Sequence, residues 1–406
     1  MRSRGERDAS PPAYPTRIAM NVFEKLDQEL DLDSHEAELL ANVRSFASSE
    51  IAPRAAHYDR TREFPWDNIR DLNALGLNAM FIPEEFGGAQ LSYPCYLLCV
   101  REIAAACAST GIIWATNFHA VKPIIDHGSL EQKRRLLPRI AEGGLASLVI
   151  TEPDAGSDAT SMKTTFSPDG DDIIISGTKT FITNGDVADL YLIFGKWVGV
   201  EDSRQAISCL VLEKGTPGLS VDRLEDKMGH RASSTAQITF HGCRVPSANL
   251  LAGPGQGLKM LLDSLNKSRP SISAHALGIA HAAFDDAVAY VNQRRQSKRL
   301  IIEFQGIQFL LADLAAELLL CDSWLLHVGR QIDKGVAMAV EASILKLRAT
   351  DLAMRMTTEA VQLHGGYGYC ADYRVERLMR DAKITQIWEG TNQIHRQLIG
   401  RSFINR

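Results

Sequence analysis

Apolar and polar positions divide the chain into three textures. From residue 21 to about 145, Ala, Leu and Glu dominate, with breaks at Pro65, Pro83, Gly87-Gly88 and Pro94, a helical composition. From about 146 to 255 the pattern shortens. SLVITEP, DDIIISGTKTFITNG, DLYLIFGKW, AISCLVLEKG and AQITFHGCRVP are β-branched and aromatic runs set apart by Gly, Pro, Asp and Asn, which predicts strands and turns. From about 256 onward the helical period returns. Ile307, Leu310, Leu311, Leu314, Leu318, Leu325 and Val328 form one apolar stripe, and Ala276, Ile279, Ala280, Ala283 and Ala287 form another, as in a helical bundle. The predicted order is α, then β, then α, an α+β chain. Its expected parts are an N-terminal arm (1–20), a helical domain (21–145), a central β domain (146–255) and a C-terminal helical domain (256–406).

The chain has 406 residues, 45% hydrophobic and 23% charged, enough for a large core. A net charge of -5 offers no attraction to nucleic acid or to an anionic membrane. No apolar run reaches the ~18 residues of a membrane span. Seven scattered cysteines without CxxC spacing read as reduced thiols. The first seventeen residues, MRSRGERDASPPAYPTR, read as a flexible arm. Glu6 and Asp8 argue against a transit peptide. We expect a cytoplasmic protein, with the mitochondrial matrix as the alternative.

Common catalytic motifs are missing. There is no GxxxxGK[ST] loop and no GxSxG elbow. One GxGxxA string, Gly366 to Ala371, follows a helical run and not a strand, which argues against a dinucleotide fingerprint. The eleven histidines form no HExxH or other tight cluster, so no metal site is expected.

Four segments carry signal: LVITEPDAGSD (148–158), FITNG (181–185), QLHGGYGY (362–369) and QIWEGTNQIHR (386–396). Taken singly, the first three are a turn, a strand end and a helix end. Glu389 of the fourth reads equally as a solvated loop carboxylate or as a base in an apolar pocket. Together, in this order, they resemble the acyl-CoA dehydrogenase family of flavoproteins, from about residue 22 to 404. The resemblance implies an N-terminal helical domain, a β-barrel-like central domain and a C-terminal four-helix bundle.

It also implies FAD, with site residues carried over by motif. Leu148, Ile150, Thr151 and Ser157 match contacts to the flavin ring. Phe181, Ile182 and Thr183 match the segment that covers the flavin, with Phe181 where many members have tryptophan. Arg294 and Gln305, expected on one helix, with Gln362, Gly365 and Gly366, match the adenosine and pyrophosphate end. Thr391, Asn392 and Gln393 open the last helix, whose N-terminus suits a phosphate oxygen. Ser157, Arg269, Trp388 and Gly390 match the substrate end. Many members have Phe-Gly after the arginine; this chain has Ser297 and Lys298, which implies a differently shaped adenine end.

In the family the EGT glutamate removes the α-proton of an acyl thioester, so Glu389 is the implied base, a role helped if burial raises its pKa. Some branches carry the base on an earlier helix. The matching position here is Ser268, which cannot serve. The implied partners are an acyl-CoA or acyl-carrier-protein thioester, an electron-transferring flavoprotein and a second copy of the chain, as a homodimer or homotetramer. The implied reaction is α,β-dehydrogenation to a trans-2-enoyl-CoA, in fatty acid metabolism. Alternatives within the fold are a flavin monooxygenase or oxidase, and a DNA-protective relative. Trp388 either narrows the acyl site or packs elsewhere. Arg269 either reaches the substrate or is a surface or subunit-contact charge.

Overall fold

A computed structural model describes residues 32–404. The expected arm and the beginning of the first helical domain lie outside the described residues. The chain opens with α1 (Ser34–Phe46), α2 (Ala52–Thr61), α3 (Trp66–Ala74), α4 (Tyr93–Ala106), α5 (Ala108–His127) and α6 (Leu130–Ala141). Their starts follow capping chemistry. Asp33 accepts from Glu36 N at 2.8 Å. Ser129 and Gln132 form a capping box, with bonds of 3.2 and 2.8 Å. Pro94 falls in the first turn of α4, where its missing N–H costs nothing.

Seven strands follow: β1 (Ala146–Val149), β2 (Thr165–Asp169), β3 (Asp172–Thr183), β4 (Leu190–Trp197), β5 (Ile207–Glu213), β6 (Leu219–Leu224) and β7 (Thr235–Pro246). They make one sheet in the order β1-β4-β2-β3-β7-β6, with β5 added on β4. β4 is parallel to β1 and β2 and antiparallel to β5. It is buried on both faces. Leu190, Leu192 and Phe194 pack toward Leu136, Leu137 and Ile124, while Tyr191 and Ile193 pack into the sheet interior with Phe166 and Ile238. That explains its unbroken apolar run.

The C-terminal part holds α7 (Gly257–Val291), a short hairpin of β8 (Arg295–Gln296) and β9 (Arg299–Leu300), then α8 (Gln305–Asp333), α9 (Ala339–His364), α10 (Val375–Thr385) and α11 (Asn392–Ser402). The stripe residues Leu311, Leu314, Leu318, Leu325 and Val328 are buried, and all five of the α7 stripe are too. They share one core with Leu97, Val100 and Ile113, so the two helical parts pack against each other through α7. The approach is close: a Cβ on Gly278 of α7 would lie 2.2 Å from Arg101 O of α4. α7 also contains Pro270, which removes one i→i−4 bond beside Ser268 and Arg269.

Arg294 and Gln305 do not share a helix. Arg294 lies just past α7 and Gln305 opens α8, with the hairpin between them. Ser297 and Lys298, both at positive φ (49° and 66°), form its tip.

Candidate active site

The stretch after α10 turns sharply. Glu389 has φ 54° and Gly390 φ 93°. Asn392 N closes the turn onto Gln386 O at 3.0 Å. Gly390 is required on two counts: its φ suits glycine, and a Cβ there would lie 3.2 Å from His395 Nε2. Thr391 caps α11, accepting from Ile394 N at 3.4 Å.

The turn is held from below by α9. Lys346 Nζ donates to Gly390 O at 2.8 Å and to Asn392 Oδ1 at 3.0 Å. Asn392 Nδ2 and Gln386 Nε2 both reach Asp351 Oδ1 at 2.7 Å. Burial pushes the Lys346 ammonium down to about 7, with Arg269 adding to the effect and Glu389 opposing it. From above comes α7: Ser268 Oγ donates to Glu389 Oε2 at 2.6 Å. Arg269 is buried beside them, its Nη1 bonded to Asn266 Oδ1 at 2.9 Å. Burial lowers its pKa and the Glu389 charge counters this. Arg269 is therefore no surface charge.

A second group of expected residues gathers at the β1–β3 edge. Leu148 is on β1, with Ile150 and Thr151 just after it. Ser147 Oγ donates to Thr183 O at 2.6 Å, and Thr180 N donates to Thr151 O at 2.9 Å. A register shift between Lys179 and Ile182 breaks the β3–β7 ladder. At this bulge Phe181, with φ 58°, is turned outward and is 64% exposed. The Glu152–Lys179 pair locks the loop: Lys179 Nζ lies 2.9 Å from Glu152 Oε1, both buried. Burial drives Lys179 down to about 8. Burial opposes ionisation of Glu152 too, but Lys179 and hydrogen bonds from Thr164 and Lys163 bring its carboxyl below the usual range. Ser157 is exposed on the loop.

Ile182 is buried in the sheet interior with Ile238 and Ala236. Asn392 is buried and its side chain is engaged by Lys346, Thr350 and Asp351, so it fixes the Glu389 turn. Gln393, on the next position, is exposed. A third group is separate and exposed: Arg294, Gln305, Gln362, Gly365 and Gly366. Arg294 packs over the Tyr367 ring at 5.5 Å, and a Cβ on Gly365 or Gly366 would meet nothing within 4 Å.

Sequence reasoning missed Lys346 and three buried histidines, His119, His230 and His275. Trp388 packs against two of them, with ring centroids 5.0 Å from His230 and 5.7 Å from His275. His230 N donates to Asp381 Oδ1 of α10 at 2.5 Å.

These residues occupy a chain that matches the acyl-CoA dehydrogenase N-terminal domain over residues 33–144, the middle domain over 147–243 and the C-terminal domain over 255–404. The chain belongs to the acyl-CoA dehydrogenase family. It is thus an oxidoreductase of that family. It is 41% identical over 361 residues to an acyl-CoA dehydrogenase of Bacillus subtilis, covering 88% of this chain and 95% of the relative. The solved butyryl-CoA dehydrogenase from Megasphaera elsdenii superposes with a TM-score of 0.90 at 35% identity, over 93% of this chain and 100% of that one. A glutaryl-CoA dehydrogenase from Mycobacterium smegmatis, solved in complex with FADH2, superposes with a TM-score of 0.88 at 27% identity, over 95% of this chain and 98% of that one. The acyl-CoA dehydrogenase fold expected from the sequence is the one observed.

Proposed function

We propose that this chain is an FAD-dependent acyl-CoA dehydrogenase that converts an acyl thioester to a trans-2-enoyl thioester, with Glu389 as the base. The observation that carries the reading is the rigidity of the Glu389 turn. Its carboxylate is held by Ser268 and its backbone by Lys346. A positioned carboxylate is what removal of a weakly acidic α-proton needs.

The residues present fit the cofactor. Phe181 offers an exposed flat aromatic face at a bulge, as an aromatic ring system requires. Arg294 beside the open Gly365-Gly366 turn suits a phosphate group. Leu148, Ile150, Thr151, Ser157, Phe181 and Thr183 would hold the ring end; Arg294, Gln305, Gln362, Gly365, Gly366, Thr391 and Gln393 would hold the nucleotide end. Bound FAD supplies the acceptor for the hydride from Cβ. The protein residues hold the thioester, with Glu389 Oε2 taking the proton from Cα. Arg269, Trp388, Gly390 and Ser157 would stand at the substrate end, with the Arg269 side chain buried on α7 next to Ser268.

Electrons would leave to an electron-transferring flavoprotein. Phe309, Leu320 and Phe403 are exposed large apolar side chains on or beside the C-terminal helices, which suits a homodimer or homotetramer. We place the enzyme in the cytoplasm. The test is anaerobic mixing of the yellow protein with short, branched, medium and long acyl-CoAs. Loss of the flavin's visible absorbance with one class supports the reading. No bleaching with any class would defeat it.

A further inference from the structure

The turn that carries Glu389 enters α11 through a contact made by His395. Thr391 caps the helix, so Gly390 stands one position before the cap and His395 is the fourth helical residue. These are the two positions at which a hydrophobic staple closes, one side chain from each packing together to fix the angle at which the chain enters the helix. Gly390 has no side chain to offer, and its φ of 93° suits glycine. The histidine closes on bare backbone instead. The point that a Gly390 Cβ would occupy lies 3.2 Å from His395 Nε2 and 3.5 Å from its Cε1. Helical side chains lean toward the N-terminus of their helix, which brings this ring back to the turn.

Two features set the ring apart from ordinary core filling. It is fully buried, and neither nitrogen has a hydrogen-bond partner among the described residues. Unmet buried polar atoms are rare, and a leucine or methionine could staple a turn without them. The ring is also uncharged. Burial, aided by the charges of Lys346 on α9 and Arg269 on α7, drives it down to about 3, against the pull of the Glu389 and Gly390 carbonyls. It therefore meets the turn as a flat, neutral wedge and adds no third cation beside those two.

The wedge bears on a strained stretch. Glu389 sits at φ 54°, a left-handed conformation that is costly for a residue with a Cβ and persists only where the surroundings over-determine it. Ser268 Oγ holds the carboxylate at 2.6 Å, and Lys346 Nζ holds Gly390 O at 2.8 Å. The ring against Gly390 is a third restraint. Without it the turn has room to relax toward negative φ, which would swing the carboxylate away from Ser268.

We infer that His395 is a positioning residue for the reaction: its ring, closed on the Gly390 backbone, holds Glu389 in the left-handed turn that aims the carboxylate. This rests on the reading of Glu389 as the base.

The test uses the FAD-loaded enzyme and an acyl-CoA that bleaches it. His395→Ala opens the space, and His395→Leu keeps the bulk but branches where the ring is flat. Each should slow flavin reduction by at least about tenfold while KM changes little. His395→Gln, a flat amide of similar reach, should recover most of the lost rate. His395→Leu combined with Ser268→Ala should cost less than the product of the two single losses, since both residues aim one carboxylate. FAD content checks each fold, and if the alanine variant loses FAD the leucine variant decides. Reduction by the leucine variant at the wild-type rate overturns the inference. So does a loss confined to KM, a glutamine variant no faster than the leucine one, or losses that simply multiply. Glu389→Gln separates the two claims: reduction by that variant at the wild-type rate removes the base and the inference together, whereas a slow Glu389→Gln beside a fast His395→Leu removes the inference alone.

Discussion

Ser268 Oγ donates a 2.6 Å hydrogen bond to Glu389 Oε2, joining the middle of a long helix to the turn before the last one. Ser268, at the position that matches the base of some branches of the family, here steadies the proposed base instead. Ser268→Ala should lower kcat by roughly tenfold with KM changed much less, because the bond orients the carboxylate and does not bind CoA. Stopped-flow flavin reduction checks this. A change confined to KM would contradict it.

Lys346 anchors the same turn through Gly390 O and Asn392 Oδ1, and its ammonium is pushed down to about 7 by burial. The unfolded chain keeps its proton to about 10.4. Between these values the unfolded state binds more protons, so this residue's contribution to stability rises with pH from about 7 to 10. Denaturant unfolding of wild type and Lys346→Met at pH 7 and 9.5 should show the wild type gaining on the variant by on the order of 2–3 kcal/mol. An unchanged difference would mean that Lys346 keeps an ordinary lysine pKa in the folded protein.

Breaking the buried Glu152–Lys179 pair leaves a lone charge. Lys179→Met should cost about 3–5 kcal/mol and weaken FAD retention, while the double variant Lys179→Met/Glu152→Gln should cost less. Thermal unfolding and dialysis retention measure both effects. A double variant no better than the single would show that packing, and not charge, sets the loss.

At the β8–β9 tip, Lys298 sits at φ 66°. Lys298→Gly should stabilise the hairpin by about 0.5–1 kcal/mol, since two-residue hairpin turns favour glycine at positive φ. Denaturation midpoints would show it. Destabilisation would mean that the lysine side chain makes contacts worth more than the strain.

Much of this architecture was readable from spacing. The α8 stripe from Leu311 to Val328 is buried as its period demands, and Thr391 caps the last helix as its residue type suggests. β2 and β6 were not legible. β2 contains a Ser-Pro-Asp turn signature, and β6 is polar and largely exposed. The site was legible only in its local motifs. The bulge that turns Phe181 out and Ile182 in depends on pairing with β7, which no single strand encodes. Lys346 lies in a helix whose apolar period gives no hint of a buried charge. His230 and His275 are far apart in the chain and meet only because the β6–β7 loop reaches α7.

The most direct test of the central claim is single-turnover flavin reduction by one bleaching acyl-CoA, in wild type and Glu389→Gln. The variant should retain FAD and shift its spectrum on binding acyl-CoA, yet reduce the flavin roughly 10³-fold more slowly. Reduction at the wild-type rate would show that the α-proton goes elsewhere and that Glu389 is not the base.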